Sequence, residues 1–270
     1  KKLRHKYFNA KTRKDKLTYQ SKDKELRNKI SHLLISDGWD TVSANQIISF
    51  DPYNQNISNT FYDSEWMFGI NDGFDIIIGN PPYLESRHPS FNDNLKNLYQ
   101  ASSNKRWNED ASLITRGSDL LIYFFEVSIS LINSNGVIVL ITQNAWLDTE
   151  YGIKAQKFLT KHTNVKKIID SKYRSVPAGE GPNINTVITV FSNNHPSTDN
   201  VISFYLLKDN IGNIILNKYD VDYYDDDKLK VNNFSYTNKI LKKYKWGILH
   251  NSDAFIIDLL DTMENKGKPI

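Results

Sequence analysis

Apolar positions along this chain fall into two kinds of run, some spaced for helices and some unbroken. Leu26, Ile30, Leu33 and Leu34 recur at helical spacing within residues 22–36. With Tyr7 and Phe8 upstream, they predict two helices, or one interrupted helix, over residues 1–36, ended by a turn at Asp37-Gly38. Residues 39–73 are rich in Asn, Asp, Gly and aromatics and predict irregular chain, its aromatics packed under a sheet, with a short strand at 47–50. Three isoleucines behind Phe74 predict a strand over 74–78 buried on both faces. Residues 84–117 are polar without periodicity and predict a long loop. A buried helix is expected over 119–132, then a turn at Asn135-Gly136 into an apolar strand over 137–142. A helix followed by a strand is half of a right-handed crossover, so the sheet is expected to be largely parallel. Further on come a helix near 150–161 and strands over 165–169 and 186–191, the two strands too close for a crossover and expected as an antiparallel pair at the sheet edge. Past residue 195 short strands alternate with polar segments. The fold class is α/β, and the predicted division is a basic helical segment over 1–45, a catalytic core over 46–195 and a connecting region over 196–270.

Composition narrows the class. An apolar content of 39% over 270 residues supports a sizeable core. The absence of cysteine excludes disulfides and cysteine-ligated zinc and fits a reducing cytoplasm. No apolar run has the length of a membrane span, and no signal peptide is visible. The six histidines lack ligand spacing, so no metal site is expected. Net charge is +3, yet residues 1–30 hold twelve Lys/Arg against three Asp/Glu. That run reads equally as a solvated helical face or as a phosphate-contacting arm that gains affinity by counterion release. Starting at Lys1-Lys2 and ending at Lys268-Pro269-Ile270, the chain reads as a piece of something larger.

The chemistry concentrates in Asn80-Pro81-Pro82-Tyr83, directly after the isoleucine strand. Two prolines cannot extend a central strand, so a stiff loop is expected at the carboxyl edge of the sheet, where open α/β folds place ligands. An amine conjugated to a purine is a poor nucleophile because its lone pair is delocalised. A site can activate it by accepting hydrogen bonds from both N–H groups, which stabilises the charge that develops during attack. The Asn80 side-chain oxygen and the Pro81 carbonyl are two such acceptors, and the prolines bring no competing N–H. Tyr83 offers a flat ring on which a base can stack, worth about 1–3 kcal/mol. A base inside a duplex must be flipped out to reach this loop. The bland alternative is a proline turn after a strand.

Residues 74–83 resemble motif IV of the amino-methyltransferases that act on DNA adenine. Asp51-Pro52-Tyr53-Asn54-Gln55-Asn56 and Phe61-Tyr62-Asp63-Ser64-Glu65-Trp66-Met67-Phe68-Gly69 resemble the lead-in found in large type IIG restriction–modification enzymes, and residues 7–16 resemble the stretch before it. Residues 119–124 resemble motif V, and residues 136–142 with Asn144-Ala145-Trp146-Leu147 resemble motif VI and its sequel. The likeness covers roughly residues 1–195. It implies the carboxyl half of a Rossmann-like methyltransferase sheet and the transfer of a methyl group from S-adenosylmethionine to the N6 amine of a flipped adenine in double-stranded DNA. It also implies catalytic roles for Asn80, Pro81, Pro82 and Tyr83, and cofactor contacts from Phe124, Asn80 and Pro82. Its room for an endonuclease elsewhere in the parent chain is left open.

Two departures stand out. The family's glycine-rich cofactor loop precedes motif IV, whereas the one Gly-x-Gly here is Gly179-Glu180-Gly181, so cofactor binding by this chain is expected to be incomplete. Where relatives place an aromatic against the flipped base, this sequence has Val176, with Tyr173 nearby as a substitute. Asp226-Asp227-Lys228 is a solvated acidic loop, and Trp246-Gly247-Ile248-Leu249 is expected to open a following target-recognition region. A protein-glutamine or RNA amino-methyltransferase, or a non-catalytic DNA-binding scaffold, are the competing readings.

Overall fold

The computed structural model describes residues 1–54, 56–108, 115, 117–171, 185–194, 200–207, 231–237, 245–247, 259, 262, 263 and 266. The chain forms two compact units, Lys1–Gly73 and Phe74–Ile270.

The first unit is helical. Helices α1 (Lys2–Asn9) and α2 (Arg13–Ser36) match the expected pair, and Gly38 at φ +93° makes the turn after Asp37. The buried stripe of α2 is polar, however: Asp23, Arg27 and Ser31 face inward while Leu26 and Leu33 stay exposed. Asp23 lies between two arginines, 3.1 Å from Arg27 Nε and 3.5 Å from Arg4 Nε. Arg4 also donates to the carbonyls of Trp66 and Met67, and Arg27 to those of Ile48 and Phe50. Two of the twelve cations at this end are therefore internal fasteners.

Residues 47–49 are not a strand. They end helix α3 (Thr41–Ser49), whose first turn is set by Asp40 accepting from Ser43 N–H at 2.9 Å. A second short helix, α4 (Ser64–Phe68), is capped by Asp63 and stopped by Gly69 at φ +79°. The aromatics of this region pack within their own unit, Tyr53 on Tyr7 and Phe68 on Phe50 and Tyr62.

The second unit is built on a six-stranded sheet in the order β1-β2-β4-β3-β5-β6. Its strands are β1 (Phe74–Gly79), β2 (Ile132–Gln143), β3 (Asn164–Ser171), β4 (Thr186–Ser192), β5 (Val201–Leu207) and β6 (Val231–Thr237). Helices α5 (Asp93–Trp107), α6 (Leu120–Leu131) and α7 (Glu150–His162) lie between them in sequence. The β1–β2 and β3–β5 pairs are parallel, and β2–β4, β3–β4 and β5–β6 are antiparallel, so the sheet is mixed rather than largely parallel. The β3–β4 pair is antiparallel as expected but sits inside the sheet, with β4 inserted between β2 and β3. Asn135-Gly136 is not a turn. It lies within β2, at an irregularity where Phe74 pairs with Ile132 and Ile76 with Val137. Within the stretch expected as loop, α5 is a helix of mainly polar surface.

One face of the sheet is the core. Ile138, Leu140, Ile168, Val187, Phe191 and Phe204 pack there under Leu121, Phe125, Phe158 and Leu159 of α6 and α7. Trp246, expected to open the following region, is fully buried in this core, 5.6 Å from the ring of Trp146. The opposite face is different. Ile76 is 63% exposed and Ile78 77%, beside exposed Val137 and half-buried Val139, Ile141, Ile188 and Val190. The expectation that β1 is buried on both faces fails because, among the described residues, β1 is the edge strand, paired on one side with β2, and Ile76 and Ile78 on one of its faces are exposed.

Candidate active site

Pairing directions fix where the proline turn lies. β1, β2, β3 and β5 run the same way, so their carboxyl ends share one rim of the sheet, and antiparallel β4 starts there. Gly79 closes β1 opposite Leu140, and a Cβ at Gly79 would come within 2.9 Å of Leu140 Cδ2. The Leu140 side chain therefore occupies the space that an ordinary side chain at position 79 would take, just before the turn. Asn80 is exposed, Pro81 buried, Pro82 exposed and Tyr83 half-buried. All peptide bonds here are trans.

The hydrogen bonds sort the acceptors. The Pro82 carbonyl is occupied by the Leu84 N–H at 2.9 Å. Among the described residues, no donor is recorded on the Asn80 side chain or the Pro81 carbonyl. These two acceptors, on consecutive residues at the end of a strand, can take both protons of one amine. Burial pushes the Tyr83 phenol above its ordinary value, so its ring stays neutral and suited to stacking.

Around the turn, β2 runs on past Gly79 to Gln143, which pairs with Thr186. Asn144 N–H donates to the Asn185 carbonyl at 3.0 Å, and its Nδ2 to Asp170 Oδ2 at 3.3 Å. The Gln143 Nε2 is buried with no hydrogen-bond partner among the described residues. Tyr173 and Val176 lie outside the described residues, but Ser171 and Asn185, which flank the segment carrying them, are both at this rim. Phe124 stands out on α6: Leu120 to Tyr123, Phe125 and Glu126 are buried, whereas Phe124 is 39% exposed.

The segment leaving the turn is tied down twice. Ser86 N–H donates to Asp119 Oδ1 at 2.7 Å, and Leu120 N–H to the Leu84 carbonyl at 3.0 Å. Further on, Glu126, fully buried, accepts from Arg106 Nε at 2.6 Å, Arg106 Nη2 at 3.0 Å and Trp107 Nε1 at 2.6 Å, which fixes the end of α5 to α6. Sequence reasoning placed Asp119 at the start of the stretch that resembles motif V but gave it no role of its own, and it missed Glu126 and Gln143. Among the described residues no group of three His, Asp or Glu is placed to hold a metal ion, and no helix is long and apolar enough to cross a membrane.

Comparison with known proteins places these features in company. The sequence model of the Eco57I restriction-modification methylase family matches residues 3–176. A type II methyltransferase, M.BstVI of Geobacillus stearothermophilus, is 28% identical over 97 residues, which are 36% of this chain and 16% of that protein. Among solved structures, the type IIG restriction endonuclease BpuSI aligns with a TM-score of 0.49 at 12% identity, covering 71% of this chain and 22% of that one. A modification subunit of a putative type I restriction enzyme from Vibrio vulnificus aligns with a TM-score of 0.43 at 14% identity, covering 74% and 41%. The matched stretches thus span less than a quarter of the length of M.BstVI and of BpuSI.

Proposed function

The chain belongs to the Eco57I restriction-modification methylase family, and we propose that it carries the amine-holding turn of a methyltransferase acting on the N6 amine of adenine in DNA. The observation that carries this reading is the pair of acceptors on Asn80 and Pro81, without a donor among the described residues, next in sequence to the half-buried Tyr83. A base flipped out of the duplex stacks on Tyr83. Asn80 Oδ1 accepts one amine N–H and the Pro81 carbonyl the other, drawing the nitrogen lone pair out of the purine ring. As the nitrogen bonds to the methyl carbon, the bond from that carbon to the donor's sulfonium sulfur would break with its electron pair leaving on sulfur, and the positive charge the nitrogen gains faces these two oxygens. One of the two amine protons then leaves to water and neutral N6-methyladenine remains. No residue is required as a strong base, since the proton departs after the new bond has formed.

S-adenosylmethionine, when bound, supplies the electrophilic methyl group. Phe124, exposed in the middle of an otherwise buried stretch of helix, would offer a face for the adenine of that molecule, and Asn80 and Pro82, both exposed, would supply its further contacts. For the amino-acid end, the sequence holds one Gly-x-Gly, at 179–181, outside the described residues. The exposed Ile76 and Ile78 and the β1 edge, unpaired among the described residues, support a sheet that is completed by further chain, with the donor held partly there. The partner is double-stranded DNA in the cytoplasm, read by a target-recognition region beyond this sheet.

Methyl transfer by the full-length protein onto plasmid DNA, resolved by nucleoside analysis, tests the reading. Asn80→Ala is expected to lower N6-methyladenine formation by at least about a hundredfold, with thermal stability unchanged because Asn80 is exposed. Intact adenine methylation in that variant, or transfer to RNA or to glutamine-containing peptides in place of DNA, rules the reading out.

A further inference from the structure

Asp119 stands directly before α6 with an extended backbone, the place from which an aspartate ordinarily caps its own helix. It makes no such bond. Both of its oxygens are used elsewhere: Oδ1 accepts Ser86 N–H at 2.7 Å, and Oδ2 accepts the Tyr151 hydroxyl from the first turn of α7. The residue is 6% exposed, so both bonds are sheltered from water. Burial, and then the bond to Asp119, push the Tyr151 hydroxyl up, so it remains a donor at working pH. Beside this pair, Leu120 N–H holds the Leu84 carbonyl, and Leu84 N–H holds the Pro82 carbonyl. Tyr83 lies between Pro82 and Leu84. Its backbone is thus bracketed by bonds that lead, within three residues, to one buried carboxylate.

We propose that Asp119 and Tyr151 are positioning residues for the reaction, holding the segment after Tyr83 so that its ring sits at the height and tilt the extruded base requires. The proposal rests on the function assigned above to the Asn80–Tyr83 turn. It explains why α6 gives up its own cap: the carboxylate serves the turn instead of the helix. It also assigns α7 a part in the site, because the Tyr151 hydroxyl fixes which way the carboxylate faces. Alanine at position 119 leaves the Ser86 N–H and the Tyr151 hydroxyl without this acceptor, whereas asparagine keeps both bonds, its oxygen accepting from Ser86 N–H and its NH2 donating to the Tyr151 oxygen.

The test uses the full-length protein with Asp119→Ala, Tyr151→Phe and the double variant, read in two ways. Hydrogen exchange over residues 84–88 is expected to quicken by about tenfold or more in Asp119→Ala, as the Ser86 amide loses its sheltered acceptor. Steady-state methylation of plasmid DNA is expected to lose about a hundredfold in kcat, the scale set by misplacing a reacting group by about an ångström, with KM for the methyl donor within about twofold of wild type. Tyr151→Phe, which deletes one oxygen, is expected to fall between, and the double variant to lose no more than Asp119→Ala alone. Wild-type exchange at 84–88 in Asp119→Ala overturns the proposal, and so does quickened exchange with unchanged kcat. Should Asp119→Ala fail to fold, Tyr151→Phe carries the same two outcomes. Exchange is read without turnover, so it stands or falls separately from the Asn80→Ala result.

Discussion

Glu126 allows the sharpest quantitative test of the packing. Its carboxylate is fully buried and meets three donors, two from Arg106 and one from Trp107. Arg106→Met removes two of the three and leaves a charge inside the protein with one indole N–H. Breaking a buried ion pair by deleting one partner costs about 3–5 kcal/mol. The Arg106 side chain is 33% exposed, so water screens the pair and relaxes around the vacated site, which brings the cost to the bottom of that range or just below it, about 2–3 kcal/mol. For a unit of this size, each kcal/mol lowers Tm by about 2–4 °C, giving a fall of about 4–12 °C. Arg106→Met/Glu126→Met removes the charge as well as its partner and is expected to recover most of the loss, since buried pairs replaced by apolar side chains are near neutral. Thermal unfolding followed by circular dichroism on wild type, both single variants and the double reads the coupling directly. A Tm for Arg106→Met within about 1 °C of wild type, or losses that simply add in the double, would refute the reasoning.

Two further outcomes follow from the geometry. Gly79→Ala places a methyl 2.9 Å from the buried Leu140 side chain and is expected to cost about 1–3 kcal/mol by overpacking, with Leu140→Val restoring part of it in urea unfolding; no change in midpoint would show that β1 can move away freely. Burial, and then the Asp23 charge, push the Tyr53 phenol up to about 12, and burial with the Glu126 charge does the same for Tyr123. A raised folded value means stability is whole below the unfolded value near 10 and is lost as pH climbs from about 10 through about 12. A phenolate absorbance titration should therefore show a late-ionising group that joins the main transition in urea, and a single early transition in native protein would contradict it.

The parts of the fold legible in the sequence were those whose signal is local. The unbroken apolar runs at α6 and β2 and the spaced Ala155, Phe158 and Leu159 of α7 state their own structure. Helix α5 was hidden because it has almost no apolar stripe: Ser103 is its one buried residue, and Leu98 is exposed. What marks it is end chemistry, Asn92 accepting from Leu95 N–H and cationic Lys105 and Arg106 in the last turn. Helix α3 misled in the opposite sense, since Ile47-Ile48 suits a strand and the Asp40 cap outweighs it. Whether three isoleucines occupy a central or an edge strand depends on which distant segments pair with them, and the sequence of β1 is silent on that. Pairing of β4 with both β2 and β3 is non-local in the same way. At the candidate site, Asn80, Pro81 and Tyr83 announce themselves by composition. Asp119 does not, because an aspartate before a helix looks like an ordinary cap until its oxygens are followed to Ser86 and Tyr151.

The bare face of the sheet has a consequence for the chain as a material. With Ile76 and Ile78 open to water beside Val137, and the β1 edge unpaired among the described residues, the surface resembles a strip of adhesive backed by a well-made core. In dilute solution the core keeps the strip in register. At the concentrations of a purification column the same strip favours sticking over dissolving, and retention on apolar resin, dye brightening and loss to vessel walls all draw on it. Handling conditions for the isolated chain are therefore set less by its charge than by a few isoleucine side chains on one edge strand.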